Sequence, residues 1–178
     1  MKAKILVAAF VAAFLIARDA GAFHGNSKAA SARLQGRAYS QFLSGYLHYR
    51  EGDLDEALES YREALRYQEN EPEILFEVAN VLVKKGKLSE ARQYLEQALV
   101  IDQDHARSLY LLAGILAATG DREKAISLYS RAVSDNPDIE EAYVHLSTLY
   151  AEKGDFGKAE EYLNTLIERS PESFLAYY

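Results

Sequence analysis

Cysteine is missing from the chain altogether. Its absence excludes disulfides, cysteine–zinc sites and lipid attachment at an N-terminal cysteine. It does not fix the redox compartment, because a cysteine-free protein is tolerated anywhere. Proline is scarce, with Pro72, Pro137 and Pro171 the complete set. Basic residues are outnumbered, and the formal net charge is −7. Phosphate recognition needs a basic face, so nucleic acid is not an expected partner. No glycine-rich phosphate loop and no G-x-S-x-G elbow occurs. His24, His48, His105 and His145 lack the mutual or carboxylate spacing that would assemble a metal site locally. Acidic pairs such as Asp55-Glu56 and Glu160-Glu161 read as solvated helix faces. No catalytic constellation, metal site or cofactor is expected.

The chain is 49% hydrophobic and 26% charged, which argues against disorder for its bulk, and 178 residues suggest one domain. Its longest apolar run, Ile5 to Ala17, has thirteen residues. A helix needs about 20 to span a bilayer. Lys2 and Lys4 precede this run, and Ala20-Gly21-Ala22 follows it in an A-x-A pattern. That order reads as a secretory signal peptide over residues 1–22, cleaved after Ala22. An uncleaved anchor or a buried helix are the other readings. Cleavage would leave 17 basic against 26 acidic residues. The signal implies export, and its short form suggests a bacterial periplasm or envelope. Residues 23–37 read as a flexible leader, with helix near its end. Its Lys28 and Arg33 keep it soluble or touch a membrane surface.

From residue 38 the sequence repeats. Gly52, Gly86, Gly120 and Gly154 are 34 residues apart, and so are Ala57, Ala91, Ala125 and Ala159. A fixed period of this length means stacked units, here 38–71, 72–105, 106–139 and 140–173. Each holds two helical stretches. The recurring glycine ends the first, where the chain must pass through a left-handed conformation. Asp53, Asp121 and Asp155 follow it as expected caps of the second helix, with Glu56 completing a capping box on Asp53. Lys87 breaks this column, leaving a weaker cap or one at Ser89. Asp138 with Glu141 forms another expected capping box. The prolines all fall between units. Gly45, Ala79, Ala113 and Ser147 form a second small column, on the first helices, expected to meet the alanines across each pair. Tyr61, Leu95, Tyr129 and Leu163, with Leu65, Leu99, Val133 and Ile167, fill the flanks.

These spacings resemble the tetratricopeptide repeat family. The third unit reads Leu109, Leu112, Ala113, Leu116, Gly120, Ala125, Tyr129, Ala132 and Pro137. The fourth reads Tyr143, Leu146, Ser147, Tyr150, Gly154, Ala159, Leu163, Leu166 and Pro171. The resemblance covers about residues 38–178 and implies an all-α, right-handed solenoid of four helix-turn-helix repeats plus the start of a fifth. The first unit departs from it, since Gln41, Ser44 and His48 stand where apolar residues are usual. That suits a solvent-facing cap.

The resemblance also implies a concave wall of first helices that binds a peptide or a helix of another protein. Carried over by column, its residues are Tyr39, Glu73, Arg107 and Glu141; Phe42, Phe76, Tyr110 and Val144; Tyr46, Asn80, Gly114 and Thr148; and Tyr49, Val83, Ala117 and Ala151. Tyr39, Phe42, Tyr46 and Tyr49 form one aromatic stripe, either a partner site or a shield packed against the leader. The family's clamp for acidic chaperone tails needs lysine in the Phe42 column, and only Asn80 fits that clamp. The expected function is a non-catalytic interaction scaffold, exported, with a role in envelope assembly or secretion. One alternative is self-association through an apolar C-terminal end of Leu163, Leu166, Ile167, Phe174, Leu175 and Tyr177. Another is that the chain is the helper region of a larger protein continuing beyond Tyr178. Glu172 to Tyr178 starts like the first helix of another unit, so a fragment is the favoured reading of that end. Phe76→Ala with Tyr110→Ala is expected to spare stability and abolish capture.

Overall fold

The computed structural model describes residues 29–174. The expected signal, the first part of the leader and the apolar tail Leu175 to Tyr178 lie outside the described residues. Among those described there are eight helices and no strand. They are α1 (residues 29–51), α2 (Leu54–Tyr67), α3 (Pro72–Lys84), α4 (Leu88–Ile101), α5 (Ala106–Ala118), α6 (Arg122–Asp135), α7 (Glu140–Glu152) and α8 (Phe156–Arg169). Helix α1 starts at residue 29, inside the stretch read as leader, and covers its end, where helix was expected. None of these helices is long and apolar enough to cross a membrane.

Contacts are densest within the pairs α3–α4, α5–α6 and α7–α8, and next between successive helices. That pattern is an all-α solenoid of helix pairs. The 34-residue columns explain it. Gly52, Gly86, Gly120 and Gly154 all have positive φ, between 74° and 94°. The residue after each donates its N–H back across the turn, as Asp121 does to the Leu116 carbonyl at 2.9 Å. A Cβ in that left-handed conformation costs about 1–2 kcal/mol, which is why one residue type recurs.

The two small columns are buried where the helices of each pair cross. A Cβ on Gly45 would come within 2.7 Å of the Tyr61 ring, so α1 and α2 approach there only because that side chain is missing. Tyr61, Leu82, Leu95, Leu109, Leu146 and Leu166 are fully enclosed around these crossings. Each large apolar side chain so buried contributes roughly 1.5–3 kcal/mol.

Several expected details differ. Of the three aspartates, only Asp155 caps its helix, accepting from the Lys158 N–H at 3.2 Å. The Asp53 and Asp121 side chains make no cap bond; Asp121 pairs instead with Lys124 at 2.6 Å. Neither the capping box at Asp53 nor the one at Asp138 forms. The N-cap of α7 is Ile139, with no side-chain cap bond. The outer surface of α1 is less polar than a cap requires, since Leu34, Leu43 and Leu47 are exposed. At the other end Leu166 is buried against Tyr143, and Leu163 and Ile167 are half-buried. Of the expected apolar end, Leu166 and Ile167 thus pack against α7, whereas Phe174 is 72% exposed.

Candidate functional site

Helices α1, α3, α5 and α7 stand side by side, joined by side chains 30 to 35 residues apart, close to the period. Asn80 on α3 donates to the Tyr49 hydroxyl on α1 at 3.2 Å. Arg107 on α5 pairs with Glu73 and, at 2.9 Å, with Glu77 on α3. Tyr110 on α5 packs on His145 of α7, with ring centroids 6.0 Å apart. These bonds define one wall, and the columns read from the sequence lie along it.

The centre of the wall is an ion-pair network. Glu77 is buried, at 8% exposure, and receives both Arg107 and the Asn80 amide, the latter at 3.4 Å. The Arg107 guanidinium also lies 4.1 Å from the centre of the Phe76 ring. His105 shares a hydrogen bond with Glu73 at 3.2 Å and another with Ser108 at 2.7 Å. The His105 bond, helped by the charge of Arg107, holds the Glu73 carboxyl below the usual carboxylate range despite partial burial. Glu77 is not among the expected wall residues, and the sequence marks His105 only as a histidine without metal-site spacing. Glu77 lies one turn after Glu73 on α3, which is the signal that could have found it.

The aromatic stripe divides. Tyr39 and Tyr46 face solvent at 69% and 43% exposure. Phe42 rests on the Tyr61 ring, 5.5 Å between centroids, and Tyr49 lies under the Lys84 ammonium at 4.5 Å. A cleft of about 200 Å³ opens beside Tyr39 and Phe42, bounded by Ile74, Glu71 and Glu73.

The second column is packing more than wall. Phe76 is buried at 7% exposure, and Val144 lies half-buried against Tyr143 and Leu166. Tyr110 packs on Tyr129 at 5.6 Å, and burial raises its phenol above the ordinary value. Phe76→Ala with Tyr110→Ala therefore removes core, and the expectation that stability would be spared is withdrawn. Val83 is half-buried, and Glu141 and Thr148 are exposed. Thr148 donates its hydroxyl to the Val144 carbonyl at 2.9 Å. Beyond Tyr110, Tyr129 stacks on His145 at 5.1 Å, and partial desolvation lowers the His145 pKa although the residue keeps an exposed edge. A Cβ on Gly114 would stand 3.3 Å from the Tyr129 hydroxyl, so the glycine gives that hydroxyl room. The convergence of His48, Glu51 and Asp53 at the end of α1 was also not anticipated.

Solved structures with the same architecture are numerous. MamA is 25% identical, with a TM-score of 0.69 over 79% of this chain and 77% of that one. YrrB, described as a tetratricopeptide repeat protein with an unusual peptide-binding site, is 24% identical, with a TM-score of 0.65 over 79% and 72%. The first such domain of Spaghetti (RPAP3), bound to an HSP90 peptide, is 18% identical, with a TM-score of 0.64 over 67% and 95%. No curated protein sequence gives a significant match. The tetratricopeptide repeat model matches residues 48–115 and 116–178. Together these matches span most of the chain, which belongs to the tetratricopeptide repeat family.

Proposed function

We propose that this protein is a non-catalytic scaffold whose concave wall binds an extended segment or an amphipathic helix of another protein. The observation that carries the reading is a preformed wall with solvent-facing aromatics at one end and a pinned polar centre. Aromatic side chains give large contact area at low conformational cost, and the pinned centre needs little further ordering. Two of the structural relatives are described as binding peptides. An acidic tail is not the occupant favoured here. The clamp column carries no lysine, and Arg107 is already engaged by Glu73 and Glu77. With Glu141 exposed beside them, the wall suits a neutral or basic segment. Export through residues 1–22, and a place in envelope assembly or secretion, belong to the same proposal and rest on the sequence alone.

The test is cross-linked capture from an envelope fraction, comparing the intact protein with Tyr39→Ala/Tyr46→Ala. Both side chains are exposed, so the variant should melt within a few degrees of the parent. Partner recovery should fall at least several-fold. Full recovery with this variant would remove the aromatic end of the wall as the binding site. N-terminal sequencing of the mature protein should begin at Phe23; an intact Met1 terminus would refute cleavage.

A further inference from the structure

At the junction of α1 and α2, the side chains of His48, Glu51 and Asp53 turn toward one another. One ligand atom from each lies within 4.8 Å of the other two. His48 Nδ1 stands 4.0 Å from Glu51 Oε2. That nitrogen is covered and has no hydrogen-bond partner, although the side chain as a whole is 35% exposed. A buried polar atom left so is uncommon and calls for a reason.

The repeat supplies none. One period on, His48 becomes Leu82, then Leu116, then Tyr150, all apolar or aromatic. Glu51 becomes Lys85, Thr119 and Lys153. Those two lysines pair with acids of the preceding unit, Asp55 and Glu123. Glu51 ends α1, where the helix carbonyls already concentrate negative charge and an acid is unfavourable. Asp53 makes no cap bond to α2, although Asp155 does so at the matching position. Among the described residues, no lysine or arginine pairs with Glu51 or Asp53.

We propose that His48 Nδ1 and the carboxylates of Glu51 and Asp53 bind one divalent transition-metal cation, with zinc the reference ion. The imidazole selects zinc, nickel, cobalt or copper over magnesium and calcium, which take oxygen ligands. Two donors on one tetrahedral zinc stand roughly 3.4 Å apart. The 4.0 Å between His48 and Glu51 closes to that by a small rotation of Glu51, whose side chain is 67% exposed. Three protein donors leave a coordination position for water or for a side chain of a partner. The bound cation would clip the end of α1 to the start of α2 and neutralise the acids at the helix terminus.

The experiment is calorimetric titration of the full chain, free of any histidine tag, with zinc chloride, alongside melting curves with and without zinc. One zinc should bind per chain and raise the melting temperature, because a ligand of the folded state stabilises it. His48→Gln should lose both effects. Asp53→Asn should weaken uptake roughly tenfold or more, and His24→Gln and His145→Gln should leave it unchanged. His48→Leu installs the residue of units two and three, so it should fold at least as firmly and still fail to bind. Absence of saturable uptake up to millimolar zinc would overturn the proposal. So would uptake that persists in His48→Gln, or equal uptake of calcium.

Discussion

The first and third units share one frame and use it differently. Each has a buried tyrosine on its second helix, Tyr61 or Tyr129, against a glycine of the first, Gly45 or Gly114, and each first helix exits through a left-handed glycine. Unit three is enclosed on both sides. Tyr129 stacks on His145 of the following unit. Thr119, at the position of Glu51, donates to its own helix at 2.9 Å, and Asp121 pairs with Lys124. Unit one has no preceding pair among the described residues. There the Tyr61 hydroxyl is buried without a partner, and His48, Glu51 and Asp53 point at each other. The columns that recur hold the helices together. Those that vary take their role from whatever lies on either side.

The largest expected effect sharpens that division from the inner units. Phe76→Ala alone should cost about 3–5 kcal/mol, because the ring is buried and carries the Arg107 guanidinium on one face. Adding Tyr110→Ala should lower the melting temperature further. Chemical denaturation of both variants measures this. A loss below about 1 kcal/mol for Phe76→Ala would mean that the column is a free wall after all.

Much of the frame was legible from spacing. Left-handed glycines and alanines at helix crossings are demands on the backbone and on closest approach, and only certain residue types meet them. The wall was legible as a set of columns but not in depth. Column position places Phe76 on the inner side of α3, yet Arg107, one unit further on, closes over its ring. The caps failed for a related reason. An aspartate after the glycine can turn to its helix or to a neighbouring charge, and Asp121 takes Lys124. That choice is made by a side-chain rotation between competing partners, which no period records. His48 with Glu51 and Asp53 was hidden because the donors straddle the helix end rather than share one face.

A smaller effect should appear at Tyr61. Burial, with the Glu77 charge a lesser cause, pushes its phenol well above the ordinary value. A raised folded-state pKa means that stability is complete below the unfolded value near 10 and is lost as pH rises beyond it. Tyr61→Phe should therefore resist alkaline unfolding better than the parent. At neutral pH it should be unchanged or more stable by up to about 1 kcal/mol, since it removes a buried hydroxyl that has no partner. A marked loss at neutral pH would show that this hydroxyl is bonded in solution and that unit one is less different from unit three than it looks.

The smallest effect separates the two ends of the solenoid at a single column. Asp155 accepts a hydrogen bond from the Lys158 N–H, and Asp53 makes no such bond to α2. Losing a cap typically costs about 1 kcal/mol, or about 2–4 °C in a protein of this size. Melting curves in the presence of a chelator should show that loss for Asp155→Ala and almost none for Asp53→Ala. The chelator matters, because bound metal would lend Asp53 a stabilising role unconnected with capping. Equal losses would mean that Asp53 turns back to its helix in solution, leaving the His48 cluster one donor short.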